Sequence, residues 1–197
     1  MIKSKADLLL FLEEDRKALS IEKPSLLGII KQIFFPNVIW RFEKILRYLE
    51  YYNNTKKKNL FRWGGYFYYK ILFRKQSLKL GFSIPINVFD YGLSIAHYGT
   101  IVISPNARIG KYCHIHAGVN IGASAGKPEA PFIGDNVYIG PGAILFGDIR
   151  IADNCTIAAN ATVNKDFYIS HSVIAGTPAK VVKENYFNWL EFNNIRL

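Results

Sequence analysis

Residues 101–163 read IVISPNARIGKYCHIHAGVNIGASAGKPEAPFIGDNVYIGPGAILFGDIRIADNCTIAANATV. Ile103, Ile109, Ile115, Ile121, Ile133, Ile139, Leu145, Ile151, Ile157 and Val163 share one six-residue register here, and Ile169 extends it. A helix repeats near 3.6 residues and a strand near 2, so neither alone has this period. A coil of short flat strands does, with one aliphatic per strand turned inward. Four residues after each comes a second inward position: Ala107, Cys113, Val119, Ala125, Val137, Ala143, Ile149, Cys155, Ala161, Phe167 and Val173. Most are small, as a narrow axis requires. Glycine or alanine often follows the aliphatic, as at Gly110, Gly134 and Ala152, where a corner leaves little room for Cβ. The series skips only position 127, and 124–131 reads as an excursion replacing one flat face. The expected fold is mainly β, a parallel β-helix of hexapeptide repeats with three hexads to a turn.

The chain before it carries helical patterns. Ser4 and Asp7 have capping-box spacing, and Leu8, Phe11, Leu12 and Leu19 form an apolar stripe. Pro24 closes that segment, and a short helix is expected over 25–35, stopped by Pro36. Asn37 precedes Val38, Phe42, Ile45 and Leu49, residues 53–59 read as a connection, and a last helix covers about 60–80, weakened by Gly64 and Gly65. The expected organisation is a basic, aromatic-rich helical domain at 1–80, the β-helix at 81–183 and a tail at 184–197.

The 197 residues suffice for a sizeable core. No apolar run reaches the roughly 18 residues of a bilayer span, and the N-terminus has acids inside its apolar run, unlike a signal peptide. A cytoplasmic location is expected. Cys113 and Cys155 occupy equivalent slots on different faces, more than two coils apart, so they read as core residues and not as a disulfide. The net charge of +10 is uneven: residues 1–84 hold 17 Lys and Arg against 7 Asp and Glu, while 85–197 hold 8 of each. Between Trp40 and Lys79 aromatics alternate with bases. That mixture suits helix packing with a solvated basic face, or peripheral contact with an anionic membrane. No nucleic-acid motif accompanies it, and no nucleic-acid partner is expected.

The register first breaks at GLSIAHYGTIVI, residues 92–103, where Ile95 precedes Ile103 by eight residues instead of six. The two extra residues bulge the coil at His97, and bulges re-aim side chains at functional places. The hexad at Ile115 should stack on the one at Ile95, bringing His116 beside His97. Imidazole titrates near neutrality, so His97 is the candidate general base. His114 and His171 read as surface residues, and a metal site is not expected.

These runs, with PFIGDNVYIGPGA at 131–143 and AGTPAK at 175–180, resemble the serine acetyltransferase branch of the hexapeptide-repeat acyltransferases over about 80–183. The resemblance implies a left-handed coil, a homotrimer, acetyl-CoA as acyl donor and His97 as catalytic histidine. Pairing of trimers is left open. It also implies a CoA groove between neighbouring coils. Its candidates are Gly122, Ala123, Ser124, Gly140, Gly142, Ala158, Ala159, Ala175, Gly176 and Thr177, whose lack of bulk admits a pantetheine arm, with Lys180 and Lys183 for the phosphates.

This sequence departs from the serine enzymes at three polar positions. Ala96 stands where they place an aspartate before the catalytic histidine. Phe82-Ser83-Ile84-Pro85 replaces an Asp-x-His-Pro motif, and Ala130 replaces a histidine before Pro131. Losing the partners of a charged amino acid points to a neutral acceptor, a hydroxyl of a sugar or surface-polysaccharide precursor. Asp90 is the candidate to orient His97, and His116 a candidate oxyanion donor. The alternatives are a serine O-acetyltransferase, a zinc hydratase in which His97, His114 and His116 converge, and a non-catalytic β-solenoid scaffold.

Overall fold

The computed structural model describes residues 1–22 and 37–192, without the side chains of Lys58 and Phe192. The helix expected at 25–35 lies outside the described residues.

Among the described residues three longer helices come first. In α1 (Lys5–Ala18) the Ser4 hydroxyl accepts the Asp7 N–H at 3.0 Å and the Asp7 carboxylate accepts the Ser4 N–H at 2.9 Å, completing the capping box. The Asn37 side chain starts α2 (Val38–Thr55) by accepting the Trp40 N–H at 3.0 Å. The expected connection at 53–59 is shorter than the sequence suggests, because α2 runs to Thr55 and a 3-10 turn follows. Asn59 caps α3 (Leu60–Leu80), which ends at Gly81 in the left-handed region. Gly65 serves packing: a Cβ there would stand 2.4 Å from the Tyr52 ring on α2.

The coil then winds through three flat faces, as in a left-handed β-helix. One face holds β1 (Phe82–Ser83), β3 (Ile101–Ile103), β6 (Asn120–Gly122), β9 (Ile144–Phe146) and β12 (Thr162–Val163). The second holds β4 (Arg108–Ile109), β7 (Phe132–Ile133) and β10 (Arg150–Ile151). The third holds β2 (Ser94–Ile95), β5 (His114–Ile115), β8 (Tyr138–Ile139), β11 (Thr156–Ile157), β13 (Val173–Gly176) and β14 (Ala179–Lys183). All pairs between successive coils are parallel, and only β14 returns antiparallel on β13.

The register positions from Ile103 to Val163 are all buried and form one core with Phe42 and Leu46 of α2. Both cysteines are free and buried in it, but they directly precede β5 and β11 of one face, two coils apart and not on different faces, because the excursion inserts a hexad between them. The Gly140 corner fits the close approach expected, since a Cβ there would lie 2.7 Å from the Ala159 nitrogen. The register ends sooner than expected. Ile169 is 48% exposed, and Ile174 takes the place beside Ile157. The excursion also adds to the coil instead of replacing a face. Ile103 pairs with Ile121, eighteen residues on, while Ile109 pairs with Ile133, twenty-four on, so a hexad is inserted at the corner between β6 and β7. Ala125 inside it is exposed.

The first coil leaves an edge of unpaired backbone groups, a place where sheets otherwise invite foreign strands. Buried charged side chains from the helices cover it. Glu50 accepts the Asn87 N–H at 2.7 Å, Asp15 those of Gly92 at 2.8 Å and Leu93 at 2.9 Å, and Glu43 that of Ile95 at 3.1 Å. Arg47 donates to the carbonyls of Phe89 at 3.1 Å and Asp90 at 2.7 Å. Its other N–H groups reach Asp15 at 2.7 and 3.2 Å and Glu50 at 3.0 Å, so all five donors are used. Burial alone would push the Arg47 guanidinium down, yet Asp15 and Glu50 hold it above its ordinary value.

Candidate active site

The edge leads straight to the bulge. β2 ends at Ile95, and the next residues swing out before β3. Ile95 pairs with Ile115, twenty residues on, which places the two-residue insertion where the register implied. Two hydrogen bonds pin the bulge, from the Ala96 N–H to the Ile115 carbonyl at 3.0 Å and from the Gly99 N–H to the Leu80 carbonyl at 2.9 Å. His97 projects between them and is exposed.

His116 follows β5 directly below, with its ring centroid 5.9 Å from that of His97. His114, read from the sequence as a surface residue, belongs to the same cluster. Its ring is half-buried, stacked on Tyr138 at 5.3 Å and tilted against Trp189 at 4.8 Å. Its Nε2 lies 3.2 Å from Nε2 of His116, and its Nδ1 lies 2.9 Å from the Ser94 hydroxyl. Each of these two contacts needs one proton between its atoms, so the tautomers of the two histidines and the Ser94 rotor are set together. Burial first, then the nearby His116 and His97, lowers His114 to about 4. Burial, then His97, also lowers His116. His114 is neutral near pH 7, able to fix a tautomer without adding charge. Among the described residues no group of His, Cys, Asp and Glu is arranged to hold a metal ion.

Sequence reasoning missed Trp189. The tail at 184–197 includes α4 (Trp189–Phe192), which packs back on the coil. The Trp189 indole donates to the Tyr112 carbonyl at 2.8 Å. The histidines, Tyr138, Trp189, Ile39, Asn37 and Ala18 line a cavity of about 680 Å³. No Asp, Glu, Lys or Arg is among the described residues that line it.

Asp90 is not brought to His97. It lies on the corner leading to the Arg108 face, lines a different cavity with Arg108 and Asp135, and its carboxylate accepts the Tyr91 N–H at 2.9 Å. Its place between β4's neighbour Phe89 and the turn at Gly92 puts it about one flat face ahead of β2.

The small-residue candidates fall in two groups. Ile115, Ile139, Ile157 and Ile174 stack in register, so His116, Gly140, Ala158 and Ala175 after them make one column, one residue per coil. Gly142, Ala159, Gly176 and Thr177 flank it. A Cβ at Gly142 would meet the Asn160 side chain at 2.3 Å. Lys180 pairs with Ala175 and is exposed at the foot of the column, while Lys183 pairs with Val173 and lies 4.7 Å over the Tyr186 ring. Gly122, Ala123 and Ser124 stand apart, at the excursion corner.

Residues 130–165 match the family model described as bacterial transferase hexapeptide (six repeats). That match lies within the β-helix, from the end of the excursion through β12. The chain's curated relatives include the serine acetyltransferase of Synechococcus elongatus, 35% identical over 94 residues, which are 46% of this chain and 38% of that enzyme. The serine acetyltransferase of Mycobacterium tuberculosis is 37% identical over 93 residues, 46% of this chain and 40% of that enzyme. The matches thus span about two fifths of the length of these relatives. Soybean serine acetyltransferase superposes with a TM-score of 0.68 at 21% identity, over 90% of this chain and 70% of that one, which shows a shared fold that includes the helical part.

Proposed function

We propose that this hexapeptide-repeat protein is an acetyl-CoA-dependent O-acetyltransferase with His97 as general base and a sugar or polysaccharide-precursor hydroxyl as acceptor. The observation that carries the reading is the cavity beside His97, with three histidines and two aromatic rings and no formally charged side chain among its described lining residues. A free amino acid brings an ammonium and a carboxylate, each of which needs a partner once desolvated. A sugar needs hydrogen bonds and a flat apolar surface, and Trp189 and Tyr138 offer the rings.

Acetyl-CoA supplies an activated acyl group as a thioester. In this reading the pantetheine arm lies along the column from His116 to Ala175, and Lys180 and Lys183 meet its phosphates. In a homotrimer the corner at Gly122, Ala123 and Ser124 would form the opposite wall of the groove. His97 removes the proton from the acceptor hydroxyl as its oxygen bonds to the acyl carbon. His116, held by His114 and Ser94, donates toward the oxygen that gains charge. When the C–S bond breaks, the His97 imidazolium returns its proton to the departing sulfur.

The names of the relatives favour a second reading, serine as acceptor. Thiol release from acetyl-CoA, followed with serine and with a panel of oligosaccharides, separates the two. Faster turnover with carbohydrate is expected, and efficient acetylation of serine overturns the acceptor assignment. His97→Ala should lower turnover by about a hundredfold to ten-thousandfold with either acceptor. Undiminished transfer would remove His97 from its role.

A further inference from the structure

The outer side of α3 is apolar. Leu60, Phe67, Ile71 and Leu78 are spaced by seven, four and seven residues, which at about 100° per residue sets them within roughly 40° of one another. They are 83%, 54%, 58% and 76% exposed. The opposite side of the helix is the packed one. Tyr69 stacks on Tyr48 at 4.9 Å and Tyr52 at 5.4 Å, Phe73 meets Phe42 at 5.5 Å, and Leu80 is buried. The exposed stripe is therefore extra to what docks α3 on α2.

Bases border the stripe on both sides, Lys70 and Arg74 along one edge and Lys75 and Lys79 along the other, all exposed. No acid occurs between Glu50 and Asp90, a span that contains eight Lys and Arg. Exposed tryptophan and tyrosine complete the border at Trp63 and Tyr68. A second copy of this chain laid on the stripe would set these bases against their own counterparts with no acid between. A nucleic acid would match the bases but leave four aliphatic and aromatic side chains in water. An anionic lipid surface satisfies both features at once, with headgroups for the bases and the acyl boundary for the stripe. Among the described residues no helix is long and apolar enough to cross a membrane, so α3 would lie in the interface plane.

We propose that α3 is an interfacial helix that holds the protein on an anionic membrane surface through Leu60, Phe67, Ile71 and Leu78. The proposal is independent of the acceptor reading. Co-sedimentation of the whole protein with vesicles tests it, using equal parts phosphatidylglycerol and phosphatidylcholine against phosphatidylcholine alone. Binding to the anionic vesicles should be at least about tenfold tighter and should weaken with salt. Each of Arg74→Gln, Lys75→Gln and Lys79→Gln should weaken it by about fivefold. The variant Leu60→Gln/Phe67→Gln/Ile71→Gln/Leu78→Gln should lose binding and keep the parent's turnover of acetyl-CoA. Equal binding to both vesicles, retention by that fourfold variant, or no binding at all would overturn the proposal. So would a lipid-free association of copies that the same variant dissolves, which would give the stripe to a second copy.

Discussion

On α2, Glu43, Arg47 and Glu50 follow one another at spacings of four and three on the side that meets the coil, and all three are buried. On α3, Leu60, Phe67, Ile71 and Leu78 follow one another on the side that meets nothing among the described residues, and all four are exposed. Charge is inside on one helix and apolar surface is outside on the next. The first inversion has its explanation within the molecule. Six backbone groups of the leading coil need partners; this face of α2 supplies four of them and Asp15 of α1 the other two, where an apolar face could not. The second has none within the described residues, which is why the stripe on α3 points to an outside partner while the charges on α2 do not.

The comparison breaks most visibly at Arg47. Arg47→Met leaves Asp15 and Glu50 as buried acids without a cation and frees the carbonyls of Phe89 and Asp90. A loss of about 3–5 kcal/mol in urea unfolding is expected. Exchanging the whole cluster for apolar residues should not restore it, because the coil edge would still lack its donors and acceptors. A loss below about 1 kcal/mol would mean that the charges are not what seats the helices.

His114 gives the next effect, and its sign is fixed by the direction of its shift. Its folded value is lowered to about 4 against 6.5 for the free group. Between those values the unfolded chain binds more protons, so this contribution is present above about pH 6.5 and is lost as pH falls toward 4. At full protonation the loss is about 3 kcal/mol. Burial raises Asp15, Glu43 and Glu50, which act in the opposite direction on acidification. The variant must therefore be compared with the parent. His114→Asn keeps an acceptor for Ser94 and should lose about 1–3 kcal/mol less than the parent between about pH 7 and about pH 4.5. Parallel pH profiles would show that His114 is not a buried neutral group.

Sequence and structure meet most closely where the signal is periodic. The register positions from Ile103 to Val163, the capped start of α1 and the insertion at His97 all follow from spacing alone, while Ala125, expected inward by the same spacing, is exposed in the excursion. What escaped the sequence depends on the chain returning from a distance. Trp189 reaches Tyr112 across 77 positions, and no local pattern announces that contact. It is also part of what covers His114, which the sequence alone placed at the surface and the structure leaves half-buried. Asp90 is a carboxylate that could stand in for the missing acids, but a coil of flat faces separates residues seven apart around a corner. The spacing of Glu43, Arg47 and Glu50 was present in the sequence. A charged helix stripe ordinarily faces water, so it carried no sign of burial until the coil edge gave it partners.

Glu43 sharpens the comparison with a smaller change. Burial first, then the charge of Asp15, raises its carboxyl well above the usual range. Its Oε1 accepts the Ile95 N–H, and its buried Oε2 has no hydrogen-bond partner among the described residues. Both influences favour the neutral carboxyl, which can still act as an acceptor at the last residue before the bulge. Glu43→Gln keeps the acceptor and should change stability by less than about 1 kcal/mol. Glu43→Leu leaves the Ile95 N–H unsatisfied and should lose about 1–3 kcal/mol, with a fall in turnover as the His97 bulge loosens. A large loss with glutamine would show that the carboxylate charge, and not the acceptor, matters there.

The smallest expected effect falls on α3, and it is the other half of the comparison. Glutamine at Leu60, Phe67, Ile71 and Leu78 removes apolar side chains that are already mostly in water, and leucine and glutamine have similar helix propensity. Each replacement should change the free energy of urea unfolding by no more than about 0.5 kcal/mol, and the set should add nearly independently. The same number of substitutions on the inner side, at Tyr69, Phe73 and their neighbours, would strip the packing on α2 and cost several kcal/mol in sum. If the outer set proved as destabilising as the inner one, the stripe would be buried in the protein's own assembly. Its exposure would then belong to the single chain alone, and the membrane would lose its claim on α3.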